Sequence, residues 1–303
     1  MSDRRTFLTA AAGTVLAAAV RGADAPKLHV ATNFYPWHTF YARRKQNFFA
    51  DLDASLAAVA RSGLDGFEGN GGSPDEVRKV APLLKKHHLE MRSMYVNSKL
   101  HDKDAAASIK QVLAVADAAR ELGCRIVVTN PTPLQWGGNL GKTDAQLTFQ
   151  AARLDELGAG LRAKGMTLAY HNHDVELKHA AREFHHMMLG TDPKHVSLCL
   201  DVHWIFRGSD DSQVALFDVV KLYGKRVAEL HLRQSANGVW TEVFGEGDID
   251  HPRLVRALAA QGVKPHLVLE QAVEAKSPDT VDAVEAHRRG LEYVRKTFVA
   301  LAG

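Results

Sequence analysis

The sequence predicts an α/β fold, a single (β/α)8 TIM barrel of parallel strands ringed by helices. Three observations carry that expectation. Short β-rich apolar runs alternate with Ala/Leu-rich segments of helical period, eight times from Leu28 onward. The alternation occupies roughly 275 residues, close to the ~250 typical of such barrels. No glycine-rich phosphate loop follows the first apolar run, which reads Asn33-Phe34-Tyr35-Pro36-Trp37. Its absence argues against a doubly wound open sheet. With 46% hydrophobic and 24% charged residues, the chain of 303 residues has the means for one large core.

The first 25 residues stand outside this rhythm. Arg4-Arg5, then Phe7-Leu8, an Ala-rich run to Val20 and small residues around Ala23-Asp24-Ala25 form the pattern of a twin-arginine-type export signal. We therefore expect a signal at 1–25, a single barrel domain at 26–303, and a periplasmic or otherwise exported protein. The apolar run falls short of the ~20 residues of a membrane span, so no stable span is expected once the signal is removed.

The strands are expected at His29–Tyr35, Gly66–Glu68, Glu90–Val96, Arg125–Thr129, Met166–Asn172, Val196–Asp201, Arg226–Leu232 and His266–Glu270. The helices are expected at Gln46–Arg61, Pro74–Lys86, Asp104–Leu122, Thr143–Lys164, Ala181–Leu189, Ser212–Leu222, His251–Ala260 and Val281–Ala300. Gly63, Gly123, Gly165 and Gly262 follow helix ends, where a left-handed cap favours glycine. Ser73-Pro74 is a cap followed by proline in the first turn.

Against 38 basic residues stand 35 acidic ones, a net +3. This disfavours nucleic acid as a partner. The two cysteines, Cys124 and Cys199, exclude a disulfide scaffold and a four-cysteine zinc site. They are expected as free buried thiols. Sixteen histidines make a metal site worth seeking.

Strand residues alternate between barrel interior and helix layer, and chemistry collects at the strands' C-terminal ends. On the later strands this alternation turns Leu168, Tyr170, Leu198, Leu200, Leu267 and Leu269 outward. It turns His171, His173, Asp201, His203, His231, Arg233 and Glu270 inward, and Glu68 ends the second strand with the same parity. Four neighbouring strands thus offer His171 or His173, Asp201, His231 and Glu270 at one height. Such an imidazole–carboxylate set suits one divalent ion of the Mn, Zn, Co or Fe type.

These residues carry a resemblance. Gly63-Leu-Asp-Gly66-Phe-Glu68, Tyr170-His-Asn-His-Asp174, Leu200-Asp201-Val-His203-Trp204, His231-Leu-Arg233, Gly245-Glu-Gly247-Asp248 and Leu269-Glu270 are similar to the sugar phosphate isomerase/epimerase superfamily, the xylose-isomerase-like barrels. The resemblance spans about Leu28 to Ala300. It implies one divalent metal held by Glu, Asp, His and Glu at the ends of strands five to eight. Asp201, His231 and Glu270 match the last three, and His171 stands where the first glutamate is usual. It also implies enediolate proton transfer by two paired glutamates, and the histidine breaks that symmetry.

The function expected is a metal-dependent isomerase or epimerase acting on a non-phosphorylated sugar or keto-sugar. The alternatives are a metal-dependent lyase or hydratase performing β-elimination on a 3-keto-glycoside, and a non-catalytic sugar-binding barrel. Glu270, His173, His203 and Glu176 are the candidate acid/base groups. Arg233, Glu68, Trp204 and Asn172 are candidates for substrate contact. Trp37, Trp136 and Trp240 also fall in expected post-strand loops, where indole faces suit sugar rings. A homo-oligomer is left open.

Overall fold

The computed structural model describes residues 28–302, so the expected export signal at 1–25 lies outside the described residues. Strand β1 (Val30–Thr32) is shorter than expected, because Asn33 caps helix α1 (Phe34–Arg43) by accepting from the Tyr35 backbone N–H at 3.2 Å. Pro36 is tolerated in the first turn, where backbone N–H groups have no helical partner. This helix was not foreseen, and it moves Trp37 from a loop into the core. Trp37 is fully buried, stacks on His287 at 4.3 Å and donates its Nε1–H to Thr32 Oγ1 at 3.3 Å.

Helix α2 (Leu52–Arg61) begins later than expected, at the Asp51 cap. The second strand is two pieces, β2 (Gly66–Phe67) and β3 (Gly69–Asn70), separated by Glu68. A Cβ at Gly66 would lie 2.5 Å from the Glu90 carbonyl oxygen, so glycine is required where these segments approach. Helix α3 (Pro74–Lys86) is capped by Ser73 as expected.

The alternation then runs β4 (Ser93–Tyr95), α4 (Ala105–Glu121), β5 (Ile126–Thr129), α5 (Asp144–Ala163), β6 (Thr167–His171), α6 (Lys178–Leu189) and β7 (Val196–Asp201). Inside α6, His179, Ala180 and Ala181 take φ values of 54°, 59° and 55°, so its right-handed part starts near the expected position. Helix α7 (Val202–Gly208) follows β7 without a loop, because Asp201 caps it by accepting from the Trp204 N–H at 2.8 Å. The remainder is α8 (Gln213–Tyr223), β8 (Val227–Leu232), a hairpin of β9 (Ser235–Ala236) and β10 (Val239–Trp240), α9 (His251–Ala260), β11 (His266–Leu269) and α10 (Ala283–Thr297).

All neighbours in the main sheet pair in parallel, in the order β2-β1-β11-β8-β7-β6-β5-β4-β3. The result is a nearly closed barrel whose ends meet at the break around Glu68. Gly63, Gly123, Gly165 and Gly262 have φ of +84°, +94°, +72° and +72°, the left-handed caps expected of them.

Leu168, Tyr170, Leu198, Leu200, Leu230, Leu232, Leu267 and Leu269 are fully buried between strands and helices. Each such leucine contributes about 2 kcal/mol of burial. The interior holds a smaller apolar cluster of Val128, Ala169 and Cys199. Both cysteines are free and buried. Among the described residues no helix is long and apolar enough to cross a membrane.

Candidate active site

The ends of β6, β7, β8 and β11 share one rim. Asp201 and His231 are direct cross-strand partners, and the Glu270 backbone N–H donates to the Leu232 carbonyl at 3.0 Å, continuing the β11–β8 ladder. This register brings the Asp201, His231 and Glu270 donor atoms within 4.8 Å of one another, all buried. His171 stands beside them, its ring 4.7 Å from that of His231. Its Nδ1, however, faces Cys199 Sγ at 3.5 Å, and it groups with Cys199 and His231 rather than with the two carboxylates.

His231 has two differently occupied faces. Nε2 lies 3.1 Å from Glu229 Oε1 and 3.4 Å from Glu68 Oε2. Nδ1 lies 3.6 Å from Glu270 Oε2 and has no hydrogen-bond partner. With the Nε2–H donated to a carboxylate, Nδ1 is the nitrogen that faces Glu270, and once its proton is given up to a metal ion its lone pair would be directed there, the arrangement of a metal-ligating histidine. Asp201 Oδ2 is likewise buried without a partner. Orphaned buried polar atoms call for an explanation, and two of them in one imidazole–carboxylate set fit a divalent cation.

The charge balance agrees. Glu68, Asp201, Glu229 and Glu270 are buried together, with His231 and Arg233 as their cationic partners. Burial pushes the Asp201 carboxyl up to about 7 despite the pull of Arg233. Burial and the neighbouring Glu68 charge take Glu229 to about 7 as well. For Glu270, burial works toward the neutral form, but Arg233 and His231 outweigh it and hold the carboxyl well below its usual range. Arg233 Nη2 donates to Glu270 Oε2 at 2.6 Å, and Asn33 Nδ2 donates to Glu270 at 2.8 Å and to Glu68 at 2.9 Å.

Above this cluster opens a cavity of about 390 Å³, the size of a small-molecule site. Tyr35, Tyr95, Trp136 and Trp204 supply aromatic walls, and Asn33, Asn70, Asn97, His173 and Asp174 supply polar groups. Among the described residues Arg233 is the one arginine or lysine of the lining; its Nη2 is engaged with Glu270, and its Nη1 has no hydrogen-bond partner. His173 sits between two indoles, its ring 5.0 Å from Trp136 and 6.0 Å from Trp204, with Nδ1 unpartnered. Burial lowers its pKa to about 4, so the imidazole is neutral at pH 7.

Several expected site residues are placed elsewhere. His203 does not continue the strand parity, because the chain turns into α7 at Asp201. It is fully buried among Trp204, Phe206 and Trp240 and does not line the cavity. Asn172 ties β6 to β7, donating to the Asp201 carbonyl at 3.3 Å and accepting from the Asp201 N–H at 3.2 Å. Glu176 is buried in a short 3-10 turn, accepting from Asn130 Nδ2 at 3.1 Å and from the His173 N–H at 2.7 Å. It holds the His173 backbone rather than facing the cavity, and burial raises its carboxyl to about 7. Trp240 covers the Arg233 guanidinium at 4.4 Å, while Trp136 is 55% exposed at the cavity mouth. Asp248 ties the β9–β10 hairpin by accepting from Ser235, Asn237 and Gly238.

Sequence reasoning passed over Glu229, Asn33, Tyr95 and Asn97. Glu229 shares the parity of His231 two residues on, so its signal was present. Asn33 was hidden by the strand expected through Tyr35.

Residues 56–297 match the family described as xylose isomerase-like TIM barrel. An inosose dehydratase of Clostridium botulinum (strain Alaska E43 / Type E3) is 22% identical over 281 residues, covering 83% of this chain and 90% of the relative. D-allulose 3-epimerase from Methylomonas sp. superposes with a TM-score of 0.68 at 15% identity, over 90% of this chain and 98% of that one. A xylose isomerase-like TIM barrel protein from Mycobacterium smegmatis, solved in complex with magnesium, gives a TM-score of 0.65 at 12% identity, over 92% and 98%. At these identities the solved structures establish a shared fold.

Proposed function

The chain belongs to the xylose isomerase-like TIM barrel family, and we propose that it is a divalent-metal-dependent enzyme of the isomerase/epimerase kind, moving a proton beside the carbonyl of a non-phosphorylated sugar or keto-sugar. The observation that carries this reading is the buried Asp201–His231–Glu270 cluster under an aromatic-walled cavity, with two of its donor atoms unpartnered. A divalent ion held by these three residues would supply positive charge against a substrate carbonyl oxygen. Glu270, kept ionised by Arg233, and His173, kept neutral by burial, are the cavity groups fit to accept a proton. Asn33 and Arg233 fix the Glu270 carboxylate from two sides. Phe34, Tyr35, Tyr95, Trp136 and Trp204 displace water and offer faces to the C–H edges of a sugar ring. Among the described residues of the lining the fixed cation is a single arginine, Arg233, already paired through Nη2 with Glu270, and this low positive charge supports a non-phosphorylated substrate.

A second reading, β-elimination by a lyase or hydratase, is favoured by the asymmetry of the proton-handling groups. Glu270 has no second carboxylate at the end of β6, where His171 stands. A proton removed on one face needs no symmetric return if a β-leaving group departs. The inosose dehydratase relative is compatible with this outcome. Export through the Arg4-Arg5 segment belongs to the same proposal, since free rather than phosphorylated sugars are then the accessible substrates.

The test is incubation of manganese-loaded protein with keto-sugars and keto-glycosides in heavy water, followed by NMR and mass spectrometry. Deuterium exchange beside the carbonyl with an isomeric product supports the isomerase or epimerase. Exchange with loss of water or aglycone supports the lyase. Glu270→Gln is expected to slow either by ~100-fold or more. Saturable sugar binding without exchange would refute both and leave a binding barrel.

A further inference from the structure

The loop 131–143 carries Trp136 at the cavity mouth, and burial does not hold it there. Trp136 is 55% and Leu140 58% exposed. Gly137, Gly138 and Gly141 lie in the same stretch, and glycine leaves a backbone free to adopt many shapes. The indole nevertheless stands edge-on to the His173 ring, 5.0 Å away at 87°.

Polar ties supply the order that burial does not. Lys178 Nζ donates to the Gly138 carbonyl at 2.5 Å, and His179 Nε2 lies 3.2 Å from the Asn139 carbonyl oxygen. Arg182 Nη2 donates to the Lys142 carbonyl at 2.6 Å, and its Nη1 to Asp144 Oδ1 at 3.0 Å. The buried Lys142 ammonium donates to Glu183 Oε1 at 2.5 Å. Lys178, His179, Arg182 and Glu183 follow His173 on one stretch of chain, where Glu176 already holds the His173 N–H. One segment therefore fixes both members of the Trp136–His173 pair.

That segment has a costly shape. His179, Ala180 and Ala181 have φ of 54°, 59° and 55°, the left-handed region that L-residues avoid and glycine enters freely. Such strain persists where the surroundings over-determine it, and it collects at functional clamps. Ala180 is exposed, so packing of its side chain does not impose the turn. The loop lies directly on the turn, since a Cβ at Gly141 would come within 2.9 Å of the His179 ring. Ordinary loop packing needs neither a run of left-handed residues nor three side chains committed to the carbonyls of one loop.

We propose that Lys178, His179 and Arg182 are positioning residues that latch the loop 131–143 by its carbonyls and hold Trp136 against His173, where the indole grips the face of a sugar ring. The grip rests on the sugar reading of the cavity given above; the latch does not.

Manganese-loaded full-length wild type is compared with Lys178→Met/Arg182→Met by amide hydrogen exchange and by calorimetric titration with D-fructose as the probe. Exchange across 131–143 is expected to quicken about tenfold or more, with the amides of β5 to β8 within about twofold of wild type. Lys178→Arg/Arg182→Lys keeps both donors and is expected to stay within about threefold of wild type across the loop. The D-fructose Kd should rise about 3- to 10-fold in Lys178→Met/Arg182→Met and in Trp136→Ala, with Mn²⁺ affinity unchanged. Unchanged loop exchange would overturn the latch, and so would faster exchange throughout the barrel, which reports a general loss of stability. A loosened loop with unaltered D-fructose affinity would overturn the grip of Trp136. Absence of D-fructose binding by the wild type would overturn that grip together with the sugar reading, and the exchange result would still decide the latch.

Discussion

Glu229→Leu removes the acceptor that orients His231, and its effect on metal affinity follows from the structure. The Nε2···Oε1 contact is 3.1 Å between two fully buried side chains. A hydrogen bond to a charged group is worth about 1.5–3 kcal/mol. Glu68 Oε2, at 3.4 Å from the same nitrogen, recovers part of that. The net loss expected in Mn²⁺ binding is ~1.4–2.7 kcal/mol, or 10- to 100-fold in Kd. Glu229→Gln keeps an acceptor and loses only the charge, so about 1 kcal/mol, roughly fivefold, is expected. Combining Glu229→Leu with Glu68→Gln should cost more than Glu229→Leu alone, because both carboxylates compete for one proton. The assay is the electron paramagnetic resonance signal of free Mn²⁺ during titration. It is run at pH 8, above the value of about 7 to which burial and Glu68 raise Glu229. A folded Glu229→Leu protein whose Mn²⁺ affinity stays within twofold of wild type would refute the orienting role of Glu229.

Trp37→Ala should lower stability by ~3–5 kcal/mol and leave keto-sugar affinity unchanged, since Trp37 is core and does not line the cavity; urea unfolding and calorimetric binding check the two halves. Arg233→Met should cost metal-free protein ~3–5 kcal/mol by stranding the buried Glu270 carboxylate, and added Mn²⁺ should restore part of it. An equal loss with and without Mn²⁺ would argue against an ion at Glu270. His287 is lowered from 6.5 to about 4 by burial, so its neutral form is the one the fold accepts. Its folded pKa lies below the unfolded one, and its contribution is therefore intact above pH 6.5 and lost as pH falls toward 4. Relative to His287→Asn, the wild type should lose ~1.4 kcal/mol per pH unit across that window. Urea midpoints at pH 7, 6 and 5 measure this, and parallel pH profiles would contradict it.

Two-residue alternation is a property of the extended backbone alone, and it was legible without coordinates. It turns Leu198 and Leu200 to the helices and brings Asp201 inward, and it does the same for Leu230, Leu232 and His231. Glycine caps are equally local, since only the residue's own φ decides them, and the four after helices take the left-handed values. The eight-fold repetition of these local signals was enough to specify a barrel. What happens where a strand ends was not determined locally. Asn33 and Asp201 each stop a strand by capping the next helix, which sends Trp37 to the core and takes His203 off the cavity wall. Whether an asparagine or aspartate caps a helix or continues a strand depends on the space that neighbouring elements leave for it. The meeting of Asn33 with Glu270, and of Glu68 with His231, joins opposite ends of the chain. Those contacts exist only because the barrel closes. The same closure decided which nitrogen of His171 faces Cys199 and which of His231 faces Glu229, since side-chain parity places a ring in the interior but leaves its orientation to the partners packed around it.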